Sequence, residues 1–283
     1  MTRSLEETKV RLENIHSIEP LLTALRTISL ANWRQAINKQ ESLKVYISEL
    51  IGIYRYLDQR YQKKNSIGIE APEVIFVIGS NRGLCANFNR DIARVTTEHM
   101  SLPTNSQSKI IIIGDRLRKI FHRQHIRYHE YYDCQYPSSI NYSQINELAK
   151  QYIFTEASFR VSVIYNNYQG YAPYNTVKKS IFPYSLNRSS KLLEDPKEYI
   201  LDTYPNEMMS YLERQLSLLS FYSAYLSSAA AEHSTRYQLM ESASKNADRL
   251  SEELEIEIHF HLRQKITSDM RELAIGAGLL KTQ

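Results

Sequence analysis

Apolar residues recur at steps of three and four along both ends of this chain, while the middle follows a different rhythm. The stretch from Asn206 to Ile275 contains no proline and no glycine. As one helix its roughly 70 residues would run about 105 Å at about 1.5 Å per residue, far beyond the three or four turns of an ordinary helix. Leu212, Leu216, Leu219 and Leu226 open one seam, which Tyr237, Met240, Ala243, Ala247, Leu250, Leu254, Ile258, Leu262 and Ile266 continue. A seam of that period requires a helix wound against it. Ala229 to Ala231 would let that partner's backbone come close. The N-terminal segment supplies a candidate, with Leu5, Leu12, Ile15, Ile18, Leu22 and Leu25, then Tyr46, Leu50, Ile53 and Leu57. The pattern therefore predicts an antiparallel coiled coil of the two terminal helices, residues 1–62 and 200–283. The rival is two separate helices packed on an ordinary core.

The first helix starts near Ser4, with Glu7 at capping-box spacing. Pro20 is expected to kink or restart it. Arg26, Arg34 and Lys39 fall off the seam, where a solvated face is the plain reading, and Trp33 suits core packing. A polar linker follows from Lys63 to Gly68. Residues 70–190 then read as a small parallel α/β domain of mixed α+β and α/β character, Rossmann-like in its order of elements. Its strands are Val74–Ile78, Lys109–Ile113, Phe159–Tyr165 and Thr176–Pro183; its helices are Asn89–Met100, Arg116–Gln124 and Ser143–Phe154. A polar break from Asn187 to Asp195 returns the chain to the long helix.

Composition narrows the class. With 42% hydrophobic and 23% charged residues the chain reads as soluble and globular, and a net charge of +4 is too mild to argue for nucleic acid. Cys85 and Cys134 form no disulfide framework and no metal pattern. No apolar run is long enough to span a membrane. The N-terminus lacks the apolar core of a signal peptide and is more acidic than a transit sequence, so synthesis in the working compartment is expected. Core and surface filling is the plain account of the 21 tyrosines.

The glycine turn Gly79–Asn89 follows a strand and precedes a helix, where anions can sit on backbone N–H groups. It carries neither Gly-x-Gly-x-x-Gly nor Gly-Lys-Ser/Thr, so a tight connection is the better reading. Cys85 has no recognisable His–acid pair beside it, and a buried small residue fits it better than a nucleophile. His259 and His261 point about 200° apart on a helix and cannot share a metal. His122, His125 and His129 lie in a loop-like stretch. Glu252, Glu253, Glu255 and Glu257 form an acidic helix face suited to solvent or a basic partner. No catalytic, cofactor or metal residue is assigned.

Three blocks give the chain a family likeness. Ser80-Asn81-Arg82-Gly83-Leu84-Cys85-Ala86-Asn87-Phe88-Asn89 is similar to Ser-Asp-Arg-Gly-Leu-Cys-Gly-Gly-Phe-Asn. Glu232-His233-Ser234-Thr235-Arg236, Met240 and Lys245-Asn246-Ala247-Asp248 match a Glu-His-x-x-Arg-x-x-x-Met stretch and the Asn-Ala beyond it. Ile266-Thr267, Glu272, Gly276-Ala277 and Leu280 match an Ile-Thr-x-Glu-x-x-Glu-x-x-x-Gly-Ala ending. With weaker echoes at Arg11, Ala24, Arg34, Ala36 and Tyr165-Asn166, the chain resembles the gamma-subunit family of F-type ATP synthases across nearly its whole length.

The resemblance implies a central rotor shaft with an α/β foot, itself non-catalytic. Its coil would turn inside a hexamer of alpha and beta subunits, and its foot would bind the epsilon subunit and the ring of c subunits. The chain would be peripheral at the cytoplasmic face of the membrane, with no insertion of its own and no nucleic-acid partner. Hexamer contacts would fall on Arg26, Arg34, Arg263, Gln264, Glu272, Leu279 and Leu280. Arg82, Gly83, Leu84, Cys85, Phe88 and Asn89 would form the foot motif, and Glu232, His233, Arg236 and Asn246 the coil motif. The likeness leaves open a specialised rotary ATPase, sodium-moving or diverted to other mechanical work. A small α/β enzyme with helical arms and a non-rotating scaffold are further readings.

Departures from the family pattern are specific. The Lys-Ala-Met-Lys-Met-Val block reads Thr23-Ala24-Leu25-Arg26-Thr27-Ile28, which reduces cationic contacts. The family's Arg-Gln pair falls on Leu262-Arg263, one residue or about 100° of helix from Arg263-Gln264. Asn81 and Ala86-Asn87 replace an Asp and a Gly-Gly pair. The chloroplast cysteine insert is missing, so redox switching of that kind is not expected.

Overall fold

The computed structural model describes residues 5–61, 71–101, 108–133, 142–154, 159–170, 174–185, 201 and 203–277. In chain order the elements are α1 (Leu5–Tyr61), β1 (Glu73–Ile78), α2 (Phe88–Met100), β2 (Lys109–Ile113), α3 (Asp115–Arg123), β3 (Glu130–Tyr132), α4 (Tyr142–Ile153), β4 (Arg160–Asn167), β5 (Asn175–Phe182) and α5 (Pro205–Gly276). The expected elements are all present, within one or two residues at most ends. The three-residue strand β3 had no signal of its own, being too short to show alternation.

The five strands form one sheet in the order β3-β2-β1-β4-β5. The first four are parallel, and β5 runs antiparallel to β4, which amends the expectation of an all-parallel sheet. β1 and most of β2 are buried on both faces. That burial is why Val74–Ile78 and Ile110–Ile113 read as unbroken apolar runs rather than alternating ones. Ile75 and Val77 point into a core shared with Phe88 and Ile92 of α2 and Leu117 and Phe121 of α3. Val74, Phe76 and Ile78 face the other way, onto Leu148 and Tyr152 of α4 and Leu218, Phe221, Tyr222 and Tyr225 of α5. The long helix is thus itself a layer of the α/β domain.

The chain divides into two compact bodies. One comprises residues 29–236, the other residues 1–28 with 237–283. In the larger body the helices run antiparallel. Ala36 clusters with Ala229 and Ala230, and further along α1 Tyr54 and Leu57 cluster with Met209, Leu212 and Leu216. Small side chains at the first contact let the backbones close in, as the alanine run implied. Trp33 is half-buried there, its ring edge-on to Tyr168 at 6.1 Å. In the smaller body Thr8, Met240 and Leu254 are buried, and Arg26 lies within electrostatic reach of Glu241.

The seam differs from expectation at several places. Ile18 is 49% exposed, and Thr8 takes a buried seam position. Tyr46 is 56% exposed, and Tyr54 is buried in its stead, in step with Ile47 and Leu50. On α5, Leu250 and Ile266 are exposed, while Ser244 and Leu254 are buried. Spacing of alternate threes and fours tolerates a small residue such as Thr8 or Ser244 on the inner face. A large apolar residue one position out of step is rotated about 100° away from it. From Arg263 to Leu273 every α5 residue is exposed, so Ile266 has no partner among the described residues. Pro20 does not restart α1, which runs through it. His16, whose carbonyl loses its helical donor, is exposed and can bond water instead.

Phe221 is fully buried, with its ring centroid 4.8 Å from that of Phe76. Phe221→Ala should cost about 3–5 kcal/mol by opening a cavity between α5 and the sheet. Urea unfolding followed by circular dichroism would show this as a lowered midpoint.

Candidate functional site

The turn after β1 is cross-braced from within. Gly79 N donates to Ile113 O at 2.8 Å and Ser80 N to Asn89 Oδ1 at 2.9 Å. Asn89 Nδ2 donates to Ser80 Oγ at 2.8 Å, and Ser80 Oγ to Arg82 O at 2.7 Å. These first N–H groups therefore serve the fold and are not presented to a phosphate. Gly79 is required by packing, since a Cβ there would lie 2.7 Å from Leu117 Cδ2 and 2.8 Å from Asn89 Oδ1. Asn81 Oδ1 accepts from Asp115 N at 2.9 Å, so it satisfies one of the unpaired donors at the start of α3. The change from Asp to Asn keeps that acceptor and removes only a charge.

Cys85 is buried against Ser80 and Asn89, its Sγ 3.6 Å from Ser80 Oγ and 3.7 Å from Asn89 Nδ2. Burial, then the nearby Glu232 charge, push its pKa above the usual thiol value. It is held as a packed thiol and not as a nucleophilic thiolate. Phe88 is buried with its ring against Tyr174, and its carbonyl accepts from Asn166 Nδ2 at 3.0 Å. Arg82 and Leu84 face solvent. Leu84 and Ala86 have φ of 61° and 50°, in the left-handed region that favours glycine.

The structure brings two of the sequence blocks together. Arg236 on α5 donates from Nε (3.3 Å) and Nη2 (3.2 Å) to the carbonyl of Gly83. Nη2 also donates to Glu232 Oε1 at 2.5 Å, and Nη1 faces His233 Nδ1 at 3.2 Å. Arginine can only donate, so Nδ1 of His233 accepts and the ring is neutral. Burial, then the Arg236 charge, bring the His233 pKa down to about 3, consistent with that form. Burial raises the pKa of Glu232 and Arg236 pulls against it. Glu232 also lines a small cavity of about 20 Å³ with Gly79, Asn81 and Ser228. A second tie lies alongside: Tyr168 N donates to Ser227 Oγ and Ser227 Oγ to Asn167 Oδ1, both at 2.9 Å. Ser227 and Asn167 carried no motif signal, because their role depends on a fold that juxtaposes distant segments.

The remaining assigned residues stay outside this clasp. Arg26 is half-buried. Arg34, Asn246, Arg263, Gln264 and Glu272 are exposed. Leu279, Leu280 and Cys134 lie outside the described residues, as do the linker at Lys63–Gly68 and the break at Asn187–Asp195. Of the histidines weighed for metal, His129 Nδ1 accepts from Ile110 N at 3.0 Å. Among the described residues no group of His, Cys, Asp and Glu has the geometry to hold an ion.

The class these contacts define is an α/β domain built onto a 72-residue helix and fastened to it by a buried arginine. A family model described as ATP synthase matches residues 4–280, and the chain belongs to that family. It is 25% identical over 290 residues to an ATP synthase gamma chain of Parabacteroides distasonis, covering 98% of this chain and 99% of the relative. A gamma chain of the Wolbachia of Brugia malayi is 27% identical over 298 residues, covering 98% and 100%. The fold is similar to a chain in the Euglena gracilis mitochondrial ATP synthase, OSCP/F1/c-ring, in rotational state 3. That match has a TM-score of 0.65 at 13% identity and covers 99% and 97% of the two chains. A chain of the Tetrahymena thermophila central stalk and c-ring aligns with a TM-score of 0.56 at 17% identity, covering 79% and 99%. The relatives matched over their full length are gamma chains, and the chain is a gamma-type member of the ATP synthase family.

Two outcomes follow from the clasp. Ala86→Gly should stabilise the chain by about 1 kcal/mol by relieving the left-handed strain, read as a raised melting temperature. Arg236→Met should cost about 3–5 kcal/mol, because it leaves Glu232 buried without its cation and Gly83 O without its donor. The Arg236→Met, Glu232→Met double variant should recover part of that loss. A double-mutant cycle of denaturation midpoints checks the coupling.

Proposed function

We propose that the chain is the non-catalytic shaft that couples ion flow through a membrane c ring to conformational cycling of catalytic beta subunits. Its helices would turn within a hexamer of alpha and beta subunits. The α/β domain would be the foot held by the c ring and the epsilon subunit, on the cytoplasmic face of the membrane. No described helix is long and apolar enough to cross a membrane, which fits a peripheral place. No side chain of the shaft need touch nucleotide. Work is done when a turning, asymmetric surface binds one beta conformation better than another.

The observation that carries this reading is the union of foot and helix. Torque entering at the sheet can pass to α5 without slip only if the two move as one piece. The shared core of Phe76 and Phe221 and the Arg236–Gly83 clasp make them one. The hexamer would meet Arg26, Arg34, Arg263, Gln264, Glu272, Leu279 and Leu280. The run of exposed α5 residues from Arg263 to Leu273, apolar ones included, supports a surface meant for partners. Gamma chains matching end to end favour the synthase over a shaft diverted to other mechanical work.

Affinity purification of the tagged chain from its own membranes, with partners identified by mass, tests the reading. Alpha, beta, epsilon and c subunits should be recovered together, and recovery of none would overturn it. Leu273→Glu with Ile275→Glu should reduce recovery of alpha and beta several-fold while leaving the melting temperature of the isolated chain unchanged, since both residues are exposed.

A further inference from the structure

The fourteen residues from Arg116 to His129 hold Arg116, Arg118, Lys119, Arg123 and Arg127, with His122, His125 and His129 and no acid. The whole chain has 35 basic against 31 acidic residues, so this one stretch exceeds the net charge of the entire protein. Helix α3 and the turn after it place most of these groups on the outside. Arg116, Lys119, His122, Arg123, His125 and Arg127 are all exposed, while Leu117 and Phe121 point into the core. Arg118, Lys119, His122 and Arg123 border a shallow concavity of about 400 Å³.

Internal pairing accounts for little of this charge. Asp115 binds Arg118 at 2.7 Å and Lys119 at 2.5 Å, one carboxylate for two cations. Glu130 is engaged by Lys109 at 2.5 Å. Arg116, Arg123 and Arg127 make no ion pair among the described residues. Lys119 and Arg123 are like charges four apart on one helix, an arrangement that weakens a helix unless something outside compensates it. Arg118 is held with its guanidinium 4.7 Å over the Tyr131 ring and its Nε and Nη2 on Asp115, which leaves the unpaired cations of the face to Arg116, Arg123 and Arg127.

We propose that this face is a docking surface for a carboxylate-rich polypeptide segment of a partner subunit. Charge is the chief attraction among the described residues of this face, and guanidinium forks match carboxylates in pairs. The outer positions of α3 present no apolar side chain that could seat in a lipid interface, and the concavity suits projecting side chains better than a flat headgroup layer. The contact would lock the foot to a neighbour that turns with it.

The inference rests on the rotor reading only for the source of the partner. The first test is carbodiimide coupling of the purified complex, which joins Lys119 to a touching carboxylate without a spacer. A peptide linking Lys119 to an Asp or Glu of another subunit is expected, lost at high salt and reduced about tenfold in R123E/R127E. Coupling of Lys119 to Asp115 alone would overturn the proposal. The second test uses the isolated chain with a labelled oligoglutamate peptide, inorganic phosphate and vesicles of phosphatidylserine in phosphatidylcholine. The peptide should bind and R123E/R127E should abolish binding, with the melting temperature unchanged. Lys44→Glu with Arg94→Glu should leave binding intact. Vesicle binding without peptide binding, or binding of neither, would overturn the proposal. If no complex can be recovered, the rotor reading fails and the oligoglutamate arm still decides the docking surface.

Discussion

The burial of one helix on nearly every side is the constraint on which the larger body depends. From Leu216 to Ser234 every α5 residue is buried except Ser223, which is half-buried. A helix in that position cannot be amphipathic in the ordinary way, because it has no solvent face to keep polar. Large residues are needed where the sheet is, hence Leu218, Phe221, Tyr222 and Tyr225. Small ones are needed where α1 presses in, hence Ala229 and Ala230 beside Ala36. Serines fill positions where neither fits. Their hydroxyls bond backbone or neighbouring polar groups, as Ser227 and Ser234 do, so that most of these polar atoms are satisfied despite burial.

That burial forces the electrostatics. Where the segment ends, it carries a buried arginine and a buried glutamate four residues apart. Such a pair contributes little net stability but penalises any arrangement that separates its members. Here the arginine also holds the Gly83 carbonyl, so the penalty fixes the turn to the helix. The start of β1 repeats the device. Glu73 is buried, which by itself would raise its pKa, but hydrogen bonds from Lys178 and Ser162 bring it below the usual carboxylate value. His99 sits 3.5 Å from its other oxygen, with a pKa lowered by burial and by Lys178. Each end of β1 is thereby tied by charge, one to α5 and the other to α2 and β5.

Much of this architecture was legible in the sequence, and the failures share a cause. Unbroken apolar runs gave β1 and β2, and a proline-free, glycine-free stretch gave α5. Seam assignment failed where hydrophobicity was trusted over spacing: Ile18, Tyr46 and Leu250 are apolar yet out of step, while Thr8 and Ser244 are polar yet in step. The motif blocks could be recognised separately, but nothing in their order said that Arg236 reaches Gly83 across 153 positions. The cationic run from Arg116 to His129 drew no reading as a charged face from the sequence, because only the fold shows that it is turned outward with a single carboxylate at its head.

The glycine turn shows how a departure from a family pattern is to be weighed. Asn81 replaces an Asp without loss, because the bond it must make, to Asp115 N, needs an acceptor and not a charge. Ala86 replaces a Gly at a cost, because φ of 50° is a backbone demand that an extra methyl can only resist. The same chemical conservatism thus has opposite consequences a few residues apart, decided by whether the position uses the side chain or the backbone. The turn tolerates the strained residue because Ser80, Asn89 and Arg236 over-determine its path from both sides. A turn clasped to a buried helix can carry strain that a free loop would shed by moving, and it is this clasp that joins the α/β domain to α5.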